Sequence, residues 1–247
     1  MKYFGITFQN ELIRMFHRKK LVTGLAVAAL IPMVIVLAKI LALGWNTTFI
    51  YREDLFRLAL SLYTPLILPL FSIVLTADAF IEEQSGGSLK TTLLLPDSRS
   101  GHFWAKLAGA FAGTAGMILS LWFFSAVFSL ALPSRGGWLP SLGLGLLQGL
   151  ASLLPIPVVI GFSVLASQFI KSGSGMVLAL IGLSVAMKLI PLWLSDLNGI
   201  LPAAYLGFGA NIAGLQPASV MHAAGVMLLW AVFTCGLAIM YFERKTV

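Results

Sequence analysis

The sequence predicts an all-α, polytopic membrane protein with six transmembrane helices, and three observations carry that prediction. Of the 247 residues, 59% are hydrophobic and only 10% are charged, whereas a soluble domain carries about 25% charged residues. Mean hydropathy is +0.95, an apolar excess that one soluble core has no use for. The apolar residues are also gathered into six runs, each near the roughly 20 residues that cross a hydrocarbon core. Runs this long and unbroken are helices, because unpaired backbone groups are costly in lipid and barrel strands are only about 10 residues long.

The elements follow in chain order. In residues 1–20, Phe4, Phe8, Leu12, Met15 and Phe16 recur at helical spacing, while Asn10, Arg14 and Arg18 fall on other faces. This pattern predicts an N-terminal amphipathic helix lying on the inner membrane surface; a cytoplasmic extension of the first span is the alternative. No A-x-A site follows, so a cleaved signal peptide is not expected. The spans are placed at 21–43, 58–80, 107–132, 143–170, 176–195 and 220–242. PSRGGWLP separates the third from the fourth, and KSGSG makes a tight hairpin between the fourth and fifth. Residues 196–219, DLNGILPAAYLGFGANIAGLQPAS, are too interrupted by Gly, Pro and Asn for a span and too apolar for a solvated loop. They predict a re-entrant outer segment of two short helices, with a plain ordered loop as the alternative.

Orientation is read from Lys and Arg. With the N-terminus inside, the inner segments hold Lys2, Arg14, Arg18, Lys19, Lys20, Lys90, Arg99, Lys106, Lys171, Arg244 and Lys245, eleven of sixteen. Outer loops hold Arg52, Arg57 and Arg135. Both termini are therefore expected in the cytoplasm, and the net charge of +7 reads as topology and not as a nucleic-acid-binding face. Trp45, Trp138 and Trp193 fall near the outer boundary and Trp104 near the inner one, whereas Trp122 and Trp230 lie mid-span as packing residues. The lone cysteine, Cys235, excludes an internal disulfide framework and a thiolate metal cluster.

The segment EEQSGGSLKTTLLLPDSRSGHFWAK, residues 82–106, is the most informative. It is not a phosphate loop: Leu89 stands before Lys90 where a Walker motif needs Gly, and no strand precedes it. It is not a paired-glutamate protease, which would carry an Arg where Gly87 stands. No H-E-x-x-H motif and no G-x-S-x-G elbow occurs, and His17, His102 and His222 lie on separate elements. No catalytic, metal or cofactor-binding residue is assigned. The segment reads instead as a short amphipathic coupling helix. Glu82 and Glu83 favour a helix start, Gly87 with its neighbour Gly86 permits a change of direction, Leu89, Leu93, Leu94 and Leu95 form a ridge, and Pro96 ends it. Arg99 and Lys106 mark the boundary of the third span. Such a helix between two spans is a handle for a cytoplasmic partner.

On these residues the chain resembles the ABC-2 type transporter permeases. Glu83, then Gly87-Ser88-Leu89, Leu93-Leu94, Pro96-Asp97-Ser98-Arg99 and Lys106 follow that family's signature, with Ser88 where Thr is commoner. Glu11, Arg14 and Arg18-Lys19 before the first span are similar as well. The resemblance implies one transmembrane domain over 1–247 and a permease subunit of an ATP-driven exporter in a bacterial cytoplasmic membrane. It implies two cytoplasmic ATP-binding cassette ATPase subunits docked on Glu82, Glu83, Gly87, Leu89, Leu93, Leu94, Pro96 and Arg99. It also implies a second permease subunit, identical or related. ATP and Mg would be used by the ATPase, with none bound by this chain. The apolar spans favour an amphipathic or hydrophobic cargo such as a toxic peptide, a drug or a lipid-like molecule. The competing class is a membrane sensor or scaffold whose loop holds a regulator.

Three intramembrane charges complete the reading. Lys188, in the fifth span, either snorkels outward or belongs to a substrate path. Asp78, in the second, either pairs with an inner basic residue or belongs to the coupling region. Lys39, near the outer end of the first span, is expected to snorkel. Gly109 with Gly113, and Gly145 with Gly149, permit close helix approach, either within the subunit or at a dimer seam. Pro32, Pro65, Pro69, Pro155, Pro157 and Pro191 are expected to kink the spans.

Overall fold

A computed structural model describes residues 4–17, 19–43, 50–85, 99–170, 172–194, 197 and 199–244. Among them no residue is in a strand, and six helical stretches are long and apolar enough to cross a membrane. The chain is an all-α, multi-pass membrane protein. Helix α1 is Phe4–Phe16, and α2, the first span, is Lys19–Leu43. The second span is compound: a 3-10 turn Arg52–Asp54, α3 Leu55–Leu62, a π-helical turn Tyr63–Ile67 and α4 Leu68–Ser85. The third is α5, Arg99–Ser129. The fourth is split into α6, Trp138–Ala151, and α7, Ile156–Phe169. The fifth is α8, Gly173–Trp193, and the sixth is α10, Pro217–Arg244. Between these last two lie a 3-10 turn Pro202–Tyr205, α9 Phe208–Asn211, and a second 3-10 turn Ile212–Gly214.

The breaks have local causes. Proline returns no N–H to the carbonyl four residues before it, so Pro65 and Pro69 deprive the carbonyls of Ser61 and Pro65. The helix answers with the π-turn, in which Leu68 N–H reaches back to the carbonyl of Tyr63. Pro155 and Pro157 split the fourth span in the same way. Across the break the turns tighten, with Leu153 N–H to the Leu150 carbonyl at 3.1 Å and Ile156 N–H to the Leu153 carbonyl at 3.1 Å. Pro32 and Pro191 are absorbed within α2 and α8. Hydroxyls inside the spans satisfy themselves on the previous turn: Thr64 on Leu60 at 2.9 Å, Ser72 on Leu68 at 2.8 Å, Thr76 on Ser72 at 2.7 Å and Thr114 on Ala110 at 2.9 Å.

Helix α5 is the axis of the bundle. Its 31 residues make a rod about 46 Å long at 1.5 Å per residue, longer than a hydrocarbon core of about 30 Å. Helix α2 runs beside it in the same direction: Gly24 receives Met117, and Ser120 Oγ donates to the Leu25 carbonyl at 3.2 Å. Helix α4 runs against it, with Ser72 Oγ and Thr114 Oγ1 3.2 Å apart. Helix α10 packs on α7, where Gly161 lies directly under Thr234. The main core joins these elements around Tyr63, Phe80, Phe103, Leu121 and Ile160. A smaller cluster of Ile73, Ala77, Ile81, Met176 and Leu180 fastens α8 to α4, and α8 is the least buried of the six spans.

The end of the bundle holding α1 and the close of α10 is called the terminal end below; the other is the distal end. At the distal end Arg52 donates from its guanidinium to the carbonyls of Ser129, Leu130 and Leu132 at 3.2, 3.2 and 3.3 Å. It thereby ties together the end of α5 and the turn that follows, where the Ser129 carbonyl also accepts from Leu132 N–H at 2.9 Å. Arg135 lies 3.4 Å over the Tyr51 ring. Gly136 and Gly137, with φ of +100° and +83°, turn the chain into α6 as only glycine does freely. Lys39 is buried at 4% exposure and does not reach free solvent.

The mid-span tryptophans act as clasps. Trp122 Nε1 donates to the Leu142 carbonyl at 3.1 Å, and Trp230 Nε1 to that of Ile200 at 2.8 Å. The second holds the stretch before Pro202 against α10. Further along that stretch, Gly209 seats against the α6–α7 break so closely that a Cβ there would collide with the backbone of Gln148 and Ser152. Both glycine pairs singled out in the sequence pack within this chain. Gly109 and Gly113 receive Met15, and Gly145 and Gly149 receive Phe56 and Ile118.

Candidate functional site

The candidate coupling residues divide between two categories. Gly87, Leu89, Leu93, Leu94 and Pro96 lie outside the described residues. The backbone at Glu82 and Glu83 continues α4 through Ser85, and that at Arg99 opens α5; their side chains also lie outside the description. What the structure supplies is the frame from which the 86–98 segment hangs: the last turns of α4, the first turns of α5, and whatever is fastened to both.

That frame is held by buried charge. Lys106, about two turns into α5, has its side chain only 5% exposed. Its ammonium donates to Glu11 Oε1 on α1 at 3.1 Å and to the Ala79 carbonyl on α4 at 3.1 Å. One side chain thus joins three helices. Glu11 is buried too, and Arg14 stands 3.9 Å away on its outer side. A second pair joins α2 to α4: Lys20 Nζ lies 2.5 Å from Asp78 Oδ1, with Asp78 6% and Lys20 52% exposed. Asp78 therefore meets a basic residue of the terminal end, about two turns before α4 closes at Ser85.

Helix α1 is seated by shape as well as charge. Met15 enters the groove over Gly109 and Gly113, where added Cβ atoms would stand 3.2 and 3.0 Å from its thioether. Glu11 lies four residues earlier on α1 and Lys106 three residues before Gly109 on α5. The two helices therefore run alongside each other in the same direction. The apolar residues Ile6, Ile13 and Phe16 stay exposed on the other face of α1.

An aromatic cluster closes the terminal end. Phe80 of α4 meets Phe103 of α5 edge-on at 5.9 Å, and Phe242 of α10 meets both, at 6.3 and 5.5 Å. Next to Phe103, His102 is buried, and among the described residues neither ring nitrogen has a hydrogen-bond partner.

Lys188 lies far from this frame. Its ammonium donates to the Pro65 carbonyl at 3.0 Å, the carbonyl that Pro69 leaves without a helical partner. Sequence reasoning placed both residues in spans, but the pairing links positions 123 apart and had no local signal. The Glu11–Lys106 pair was missed likewise, although both residues stand in the motifs quoted above. A buried lysine on a face of small residues was the available clue.

A family model described as ABC-2 family transporter protein matches residues 7–186, most of the chain, from α1 into α8. No curated protein matches the chain.

Proposed function

The chain belongs to the ABC-2 family of transporter proteins, so it is the membrane component of an ABC transporter and not its ATPase, and from that premise we propose that it serves as the permease subunit of an exporter. Two permease subunits, identical or related, line the path, and two cassette ATPase subunits dock beneath them. The terminal end of the bundle faces the cytoplasm, in keeping with the eleven basic residues assigned to that side. The ATPases hold ATP and Mg; this chain contributes the lever.

The observation that carries the reading is the family match from residue 7 to residue 186, which takes in the whole coupling segment and both helices that flank it. The lever is residues 82–99. Closure of the ATPase pair pushes on this segment, and α4 and α5 move with it. Lys106 passes the movement to α1 through a pair too buried to break at little cost, and the Asp78–Lys20 pair, half-exposed on its lysine side, links α4 to α2. The proline breaks at Pro65–Pro69 and Pro155–Pro157 give the spans places to bend.

An amphipathic or hydrophobic cargo is supported by the scarcity of charge in the spans. An ionic cargo would need a polar lining to replace its hydration.

The test is co-purification from detergent-solubilised native membranes, comparing the wild type with a Gly87→Pro, Leu89→Asp double variant. A cassette ATPase recovered in about equal amount with the wild type and lost with the double variant upholds the docking assignment. Equal recovery with both places docking elsewhere, and no ATPase with the wild type removes the transporter reading.

A further inference from the structure

Between α4, α7 and α8, roofed by the Pro202–Tyr205 turn, lies a narrow slot, open on one side, with a cavity volume of about 50 Å³. Pro69, Ile73, Val158, Leu180, Met187 and Pro202 are among its walls, and the only polar side chain in the lining is Ser184, whose hydroxyl is already spent on the Ile181 carbonyl at 2.8 Å. From Leu180 to Met187 the slot extends about 10 Å along α8 at 1.5 Å per residue. One turn further toward the distal end, past Ser184 on α8 and past Pro69 on the second span, stands the Lys188 ammonium on the Pro65 carbonyl.

Two facts about Lys188 matter together. It sits about 8 Å short of Trp193 along α8, inside a segment long and apolar enough to span the membrane. Its described partner is a neutral carbonyl, and no carboxylate among the described residues is within ion-pair distance of it. A carbonyl dipole offsets only part of the cost of holding a full charge in the membrane. The residue itself remains exposed, so the ammonium has donors to spare.

We propose that this slot binds an anionic amphiphile, with one hydrocarbon chain lying between Leu180 and Met187 and the anionic head against Lys188. The carbon-lined walls select the chain, and the Lys188 ammonium selects the sign of the head. A carboxylate, sulfate or phosphate head satisfies the same chemistry. The inference needs the membrane-spanning reading of α8 but not the ATPase, so it stands or falls apart from the docking assignment.

The experiment uses the full chain in phosphatidylcholine nanodiscs and a diazirine-bearing palmitic acid as probe, with the matching diazirine alcohol as its neutral counterpart. Adducts are mapped by mass spectrometry. The acid is expected to label residues 158–162 and 180–187, and Lys188→Gln to lower that labelling about tenfold, the worth of one charge-assisted contact. Lys188→Arg retains it, and the alcohol labels wild type and Lys188→Gln alike. Glutamine still donates to the Pro65 carbonyl, so the fold survives, and an unchanged thermal midpoint verifies this. Leu183→Trp, at a partly exposed wall position, blocks the slot and abolishes labelling with both probes. Labelling by the acid that ignores Lys188→Gln, or that spreads over lipid-facing positions such as Leu228 and Leu229, overturns the proposal. Repeating the labelling with the ATPase and ATP separates the sources: an exported amphiphile is depleted from the slot by turnover, and a resident lipid is not. Both results uphold the site.

Discussion

Lys106 and Glu11, 95 residues apart in the chain, meet through an ammonium and a carboxylate oxygen 3.1 Å apart in the buried seam between α5 and α1. The same ammonium also caps the Ala79 carbonyl of α4. The amphipathic N-terminal helix is thus locked to the helices on either side of residues 86–98. Lys106 stands near the start of the third span, and its reach to Glu11 ties that span to the N-terminal helix.

The pair should behave as a buried ion pair behaves when cut. Removing one partner leaves the other charge uncompensated, at a cost of about 3 kcal/mol or more. Lys106→Met and Glu11→Leu should each lower the thermal midpoint in nanodiscs, and the double variant should recover much of the loss. Lys106→Met should be the milder single change, because Arg14 stands 3.9 Å from Glu11 and can take over its charge. Strict additivity in this double-mutant cycle would show that the pair contributes nothing as a pair.

The Met15 groove offers a complementary test based on shape. A methyl group at Gly113 would meet the Met15 thioether at 3.0 Å and Leu75 at 3.1 Å. Gly113→Ala is therefore expected to destabilise by about 1–3 kcal/mol through overpacking. Met15→Ala in the same chain should return part of that loss. The readout is again the thermal midpoint, with protease cleavage of α1 reporting its release from α5.

At the distal side of the fold, Gly209 predicts a sharper outcome. Its added Cβ meets backbone atoms of Gln148 and Ser152, which cannot move aside as a flexible side chain can. Gly209→Ala should displace α9 from the α6–α7 break and cost several times more stability than Gly225→Ala, where nothing lies within 4 Å. Similar midpoints for the two variants would mean that α9 is not seated as described.

The split carbonyl at Pro65 gives a prediction about Lys188. Pro69→Ala restores an N–H four residues after Pro65, which competes with the Lys188 ammonium for the same carbonyl. Lys188→Met should destabilise the wild type by about 1–2 kcal/mol, as loss of a charged hydrogen bond does, and the Pro69→Ala background by less. An equal effect in both backgrounds would remove proline as the reason the carbonyl is open.

Much of this molecule was legible in its sequence, and the unread parts share a cause. Apolar runs of about 20 residues announce spans because lipid leaves the backbone no alternative, and six such stretches are present among the described residues. Glycine pairs four residues apart announced close packing, but not what fills the groove; Met15 does so at Gly113 from 98 positions earlier in the chain. Prolines announced breaks, yet the use made of the freed carbonyl depends on α8 lying alongside. Lys39 shows the limit from the other direction. Depth along a helix suggests snorkelling, but burial depends on neighbours that only the fold supplies. Periodicity and punctuation are properties of the local chain, whereas partnership is set by tertiary approach.

The most direct measurement is site-directed cross-linking between the permease and the ATPase that accompanies it. In a Cys235→Ala background, single cysteines at position 94, in the coupling segment, and at position 135, in the distal loop before α6, are treated with a short thiol-to-thiol reagent in native membranes. The account predicts an adduct between permease and cassette ATPase from position 94, one that changes in yield with ATP, and none from position 135. An adduct from position 135 and not from 94, or no ATPase adduct anywhere along 86–98, would contradict it.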